Sequence, residues 1–201
     1  TTTTGMLAAM MQRLGAETGR RASACGNIGV AVADALTAPE RIDVLVAELS
    51  SFQLYWSDQL TPDAGVLLNL ADDHLDWQGS FANYAAAKAR VLSAAHAVAG
   101  VDDEHVRELV ARSGRRDIIG FTLAEPGPGQ VGVAGGRLVA NLGSERRDLA
   151  SAEGIEPAGV AGVLDALAAS AVALTQGAEP RHIQAALQAY RVEGHRGAVV
   201  H

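Results

Sequence analysis

Ile42-Asp43-Val44-Leu45-Val46-Ala47-Glu48-Leu49 runs directly into Ser50-Ser51-Phe52-Gln53-Leu54. Its first half is a short apolar run dominated by Val and Leu, the pattern of a strand buried on both faces. Residues 63–70 (DAGVLLNL) repeat it. Two such runs with helical stretches around them set the fold class: an α/β protein with a doubly wound, mostly parallel sheet flanked by helices.

The rest of the chain extends that frame. Residues 4–14 carry apolar residues at helical spacing, and Gly15 is the expected stop. A short strand over 20–24 leads to the Gly-bounded turn 26–29 and a helix through Leu36. Ser80 is placed to cap a helix over 81–95. A strand at 97–101, a helix at 104–112 and a strand at 117–122 come next. The character then changes. Residues 130–141 alternate about Gly135-Gly136, a hairpin signal, and two Ala/Leu-rich helices are expected at 159–176 and 180–189. Residues 125–129 (EPGPG) read as a loop.

Composition narrows the function. The 201 residues suffice for one full domain, 48% are hydrophobic and only 4% aromatic, so the core is aliphatic. A net charge of −7 argues against nucleic acid as a partner, because binding the phosphate backbone needs clustered Lys and Arg. It leaves a nucleotide open, since a bound divalent cation inverts the local sign. Cys25 stands alone, which fits a reducing cytosol, and no apolar run reaches the roughly 18 residues of a membrane span. The first five residues do not read as a signal peptide.

In an open α/β sheet, ligands bind at the carboxyl edge of the strands. Glu48 ends the first apolar run there, and an acid at that edge is suited to a hard cation. The second run delivers Asp72, Asp73, His74 and Asp76 to the same edge, with His74 a candidate ligand through a neutral ring nitrogen. Taken alone, Lys88 reads as an ordinary solvated charge and Thr1 to Thr4 as a polar helix start. The glycines and lysine of a phosphate loop are absent before Thr1.

TTTTGML (1–7), GNIG (26–29), ELSSFQL (48–54), LNLADDHLDW (68–77) and YAAAK (84–88), in this order, resemble the Mur ligases of peptidoglycan synthesis. The likeness extends to Gly194-His195-Arg196, and the spelling ELSSFQL is nearest the D-glutamate-adding form. The resemblance implies that residues 1–193 are the central ATPase domain, P-loop-like, and 194–201 a linker into a C-terminal domain absent from this chain, as is a UDP-binding N-terminal domain. It implies a reaction that joins D-glutamate to UDP-N-acetylmuramoyl-L-alanine with ATP and two Mg2+ ions, in the cytoplasm. On the same resemblance the enzyme is expected to be a monomer, and this chain alone to bind ATP poorly and be inactive. Thr1 and Thr2 match the hydroxyls after the phosphate-loop lysine, with Thr1 on magnesium. Glu48 and His74 match magnesium ligands, and Lys88 a lysine that becomes a carbamate and joins them. Asn27 matches a residue near both substrate and nucleotide, Ser51 and Gln53 match residues lining the muramoyl site, and His195 and Arg196 match the hinge. Asp165 stands where the family commonly has an asparagine of its adenine side. Two alternatives remain: another Mur or folylpolyglutamate-synthase-type ligase, or a P-loop regulatory ATPase.

Overall fold

A computed structural model describes residues 1–71 and 80–192. The expected segment around His74, together with His195 and Arg196, lies outside the described residues.

Helix α1 (Thr2–Thr18) opens the chain and runs past the expected stop. Gly15 sits inside it, and a Cβ there would lie 2.1 Å from the carbonyl oxygen of Arg20. The glycine lets the returning chain press against the helix. The stop is Gly19, left-handed at φ 73°, whose N–H reaches the Gly15 carbonyl at 2.8 Å. Strand β1 (Ala22–Gly26), helix α2 (Val32–Leu36) and strand β2 (Val44–Glu48) come next, with β1 and β2 parallel.

Helix α3 (Ser51–Tyr55) leads to β3 (Ala64–Leu67). Helix α4 (Phe81–Ala89) ends earlier than its sequence pattern, passing into a 3-10 turn over Arg90–Ser93. Beyond it come β4 (His96–Gly100), α5 (Glu104–Ser113), β5 (Ile119–Phe121), β6 (Gln130–Ala134) and β7 (Arg137–Leu142). The turn between β6 and β7 is made by Gly135 and Gly136, both at positive φ. The chain then adds β8 (Glu145–Ser151), which the sequence pattern does not announce. Its charged half is exposed, as suits the edge strand of a sheet. Helices α6 (Val160–Thr175) and α7 (Pro180–Ala189) close the described chain.

The strands form two hydrogen-bonded groups, β1-β2 and β3-β4-β5-β6-β7-β8. Pairing is parallel from β3 to β6 and antiparallel from β6 to β8. β2 and β3 each have one edge unpaired with any described strand. That accounts for a difference from expectation: Val46 and Leu67 are buried, but Val44, Leu45 and Val66 are only half-buried and Ala47 is exposed.

Both sheets nonetheless serve one core. Met6, Met10 and Leu14 of α1 join Val46 of β2, Val98 of β4, Phe121 of β5 and Leu167 of α6 in a single apolar cluster. Alternation along β4 sends Ala97 and Ala99 the other way, onto Tyr84 of α4, Leu92 and Val106 of α5. Helix α6 is apolar nearly all round, and so lies inside the domain.

Candidate active site

Parallel pairing of β1 with β2 sets Gly26 beside Glu48 at the carboxyl ends of both strands. A Cβ on Gly26 would lie 2.3 Å from the Glu48 carbonyl oxygen, and its φ is 101°, so only glycine lets the chain turn there. The turn brings Asn27 back over Glu48. Its backbone N–H donates to the Glu48 carbonyl at 2.8 Å, and its side-chain amide donates to Glu48 Oε1 at 3.2 Å.

The start of α1 meets the same carboxylate. The Thr1 nitrogen is 2.9 Å from Glu48 Oε2. Burial pushes the Glu48 carboxyl up, but hydrogen bonds from the Thr1 nitrogen, Asn27 and the Thr1 side chain outweigh it and hold the group below its ordinary value. The Thr1 nitrogen is charged only as a chain terminus, whereas the Asn27 donation is built into the fold.

Immediately beyond Glu48, Ser50 caps α3. Its hydroxyl accepts from the Gln53 N–H at 3.2 Å, and Gln53 Oε1 accepts from the Ser50 N–H at 2.8 Å, a reciprocal box that fixes the chain leaving the strand. Ser51 is buried in the first turn. Helix α4 packs against α3, and Lys88 lies in its last turn. There Lys88 is half-buried, with its ammonium 5.3 Å from the centre of the Tyr84 ring. This differs from the freely solvated charge its alanine-rich surroundings indicate.

On the other side of α1, the Thr3 hydroxyl donates to Asp165 Oδ1 on α6. Burial pushes the Asp165 carboxyl up, and the Thr3 bond pulls it partly back. Asp165 also lines a cavity of about 400 Å³ with Leu68, Gly100, Asp102, Asp103 and Phe121. This cavity opens at the carboxyl ends of β3, β4 and β5. Its two neighbouring acids have structural partners. Asp102 accepts from the Thr122 hydroxyl at 2.6 Å and the Leu123 N–H at 2.8 Å, and Asp103 caps α5 while accepting from the Leu70 N–H at 3.1 Å.

Thr1, Asn27 and Glu48 are therefore in direct contact, with Thr2 next to them at the first position of α1. Ser51 and Gln53 lie just beyond on α3, and Lys88 sits on the helix packed against α3. Among the described residues no group of three or more His, Cys, Asp or Glu is placed to hold a metal. Glu48 supplies the acidic oxygen at this rim. The Thr3–Asp165 pair and the cavity were not read from sequence. A 162-residue separation leaves no local pattern to find.

Residues 1–131 match the Mur ligase middle domain. Over 200 residues the whole chain is 57% identical to UDP-N-acetylmuramoylalanine–D-glutamate ligase of Corynebacterium efficiens, covering 41% of that protein. The enzyme of the same name from Corynebacterium diphtheriae is 56% identical, covering 42%, and that of Rhodococcus jostii 46%, covering 40%. The chain thus spans about two fifths of the length of these curated relatives. Among solved structures, a UDP-N-acetylmuramoyl-L-alanyl-D-glutamate–2,6-diaminopimelate ligase superposes with a TM-score of 0.72 at 19% identity, over 98% of this chain and 45% of that one. MurF from Acinetobacter baumannii gives 0.69 at 19% identity, over 95% and 43%. At that identity the structures speak for the fold alone. On the family match over about two thirds of its length, the chain belongs to the Mur ligase family, as a middle domain.

Proposed function

We propose that the protein to which this domain belongs joins D-glutamate to UDP-N-acetylmuramoyl-L-alanine at the expense of ATP, in the cytoplasm, as a step of peptidoglycan precursor synthesis. The observation that carries the reading is the meeting of Thr1, Asn27 and Glu48 at the carboxyl end of β2, beneath the start of a 17-residue helix. A helix N-terminus presents unsatisfied N–H groups and a partial positive charge, the environment a terminal phosphate needs. The shared name of the curated relatives favours D-glutamate over the amino acids of other Mur ligases. Family membership leaves a regulatory ATPase without support.

The chemistry sets the demands. A substrate carboxylate is a weak nucleophile and approaches an anionic phosphate. Its oxygen attacks the γ-phosphorus of ATP, the bond to the β-phosphate oxygen breaks, and ADP leaves with that electron pair. The D-glutamate amine then attacks the acyl carbon of the resulting acyl phosphate, expelling inorganic phosphate and losing a proton. Phosphoryl transfer of this kind depends on positioning and charge stabilisation.

Magnesium fits the donor set: a partly buried carboxylate, oriented by Asn27 and beside the Thr1 hydroxyl, is an oxygen site for a hard cation. When bound, two such ions would screen the repulsion between carboxylate and triphosphate. Thr1, Glu48 and His74 would hold them, with Lys88 as a carbamate, which supplies two oxygens and a negative charge in place of an ammonium. Thr2 would face the phosphates, Asn27 would orient both the carboxylate of Glu48 and the substrate, and Ser51 and Gln53 would border the muramoyl group. His195 and Arg196 would lead into the glutamate-binding domain. The protein is taken to act as a monomer. Among the described residues no helix is long and apolar enough to cross a membrane.

The test is direct. The full-length protein is given ATP, magnesium, UDP-N-acetylmuramoyl-L-alanine and one amino acid at a time. D-Glutamate alone should give a product heavier by one glutamyl residue, with ADP and phosphate in equal amounts. Incorporation of a different amino acid, or ATP breakdown without product, would overturn the proposal.

A further inference from the structure

Asp165 is placed to hold the start of α1 from the side opposite Glu48. Thr1 stands at the N-cap of that helix without a side-chain capping bond, and its first turn holds no acid, so apart from the Gly5 N–H bond to the Thr1 carbonyl little within the helix fixes how the turn is rotated. Three contacts from elsewhere do so. The Thr1 hydroxyl donates to the Glu48 carboxylate at the end of β2. The Thr3 hydroxyl donates to Asp165 on α6, with Thr3 buried and Asp165 half-buried. The Tyr190 ring lies over Gly5, where a Cβ would come within 2.8 Å of its hydroxyl oxygen.

Successive helical residues turn by about 100°. Thr2 therefore lies between a residue tied to β2 and a residue tied to α6. If Thr3 loses its anchor, the turn can rotate and both Thr1 and Thr2 move relative to Glu48. A pair that served stability alone could sit anywhere along the contact between α1 and α6, whose buried residues are mostly apolar. It is found instead one residue beyond the two hydroxyls assigned to phosphate and magnesium.

We infer that Asp165 is a positioning residue for the ligation reaction: through Thr3 it fixes the rotation of the first turn of α1, and so the aim of the Thr1 and Thr2 hydroxyls. This inference rests on the reading of α1 as the phosphate-binding helix. An asparagine would keep the acceptor oxygen and the shape, so the role belongs to the acceptor and its position, not to a charge.

The test is a double-mutant cycle in the full-length enzyme. Thr3→Val and Asp165→Ala should each lower kcat about tenfold, with KM for the UDP-linked substrate within about twofold, because misaligned groups cost rate more than binding. The double variant should be no worse than either single one, and Asp165→Asn should recover to within about threefold of wild type. Amide hydrogen exchange, read without turnover, should quicken at residues 5–8, the first whose N–H groups bond within α1, in Asp165→Ala and Thr3→Val but not in Asp165→Asn. Multiplying losses in the double variant, or an asparagine variant as slow as the alanine one, would overturn the inference. So would a raised ATP KM at unchanged kcat in Asp165→Ala with Thr3→Val silent, since Asp165 would then touch the nucleotide itself. Should Asp165→Ala fail to fold, Thr3→Val carries the same comparison. If wild-type enzyme performs no ligation, the functional reading has failed, and the exchange measurement still decides whether Asp165 anchors the turn.

Discussion

Lys88 shows how little one residue declares by its type and how much by its place. In sequence it is a lysine among alanines, and nothing in the periodicity sets it apart from a solvated charge. In the structure it is half-buried over Tyr84, on a helix braced against the segment that leaves Glu48. Carbamate formation needs an amine within reach of dissolved carbon dioxide, and Lys88 retains partial exposure. Replacing Lys88 by Ala in the full-length enzyme should abolish ligation, with partial recovery on adding short carboxylic acids that supply the missing oxygens. Turnover at the wild-type rate, measured by ADP release, would remove the carbamate from the mechanism. Glu48 was legible from its position at the end of an apolar run; its partners were not, because Asn27 and Thr1 reach it only through strand pairing and the return of α1.

At the scale of elements, most of the order was legible because each has a local cause. Ser80 and Asp103 cap the helices they precede, at 3.2 and 2.9 Å, and the glycine pair turns the hairpin. Errors fell where a distant contact overrides local preference. Gly15 resembles a helix stop, yet it is inside α1 because the chain returns against it. Gly15→Ala gains about 1 kcal/mol of helix propensity but drives a methyl into the Arg20 carbonyl. A net loss of about 1–3 kcal/mol is expected, read by urea denaturation; a stabilised variant would refute the close-approach reading. Helix α4 ends early because Arg115 gathers the chain behind it, donating to the carbonyls of Leu92 at 2.6 Å and Ala94 at 2.7 Å while paired with Asp117. The Arg115 hydrogen bonds lower the Asp117 carboxyl from 3.8 to about 2. A depressed folded value means the pair stabilises the fold above the unfolded pKa, and that contribution fades as pH falls from about 4 towards 2. Asp117→Asn should flatten this part of the acid-denaturation curve; an unchanged slope would mean the pair contributes nothing there.

At the scale of the whole molecule, the parallel sheet and its antiparallel extension were readable as a class, since apolar runs and turn residues set them independently of detail. The division into two hydrogen-bonded groups was not readable, because it depends on which strand edges meet and not on the content of any strand. One core joins the groups through α1 and α6, and this is what brings the end of β2, the start of α1 and the cavity at the ends of β3 to β5 onto one side. The functional reading stands on that side acting as a grip for metal-bound triphosphate. Its sharpest test is calorimetric titration of the full-length protein with ATP, with and without magnesium, beside Glu48→Ala. Magnesium should tighten wild-type binding by at least about tenfold, and Glu48→Ala, folded to the same Tm within a few degrees, should lose most of that gain. Equal magnesium dependence in the two proteins would place the metal elsewhere and take Glu48 out of the site.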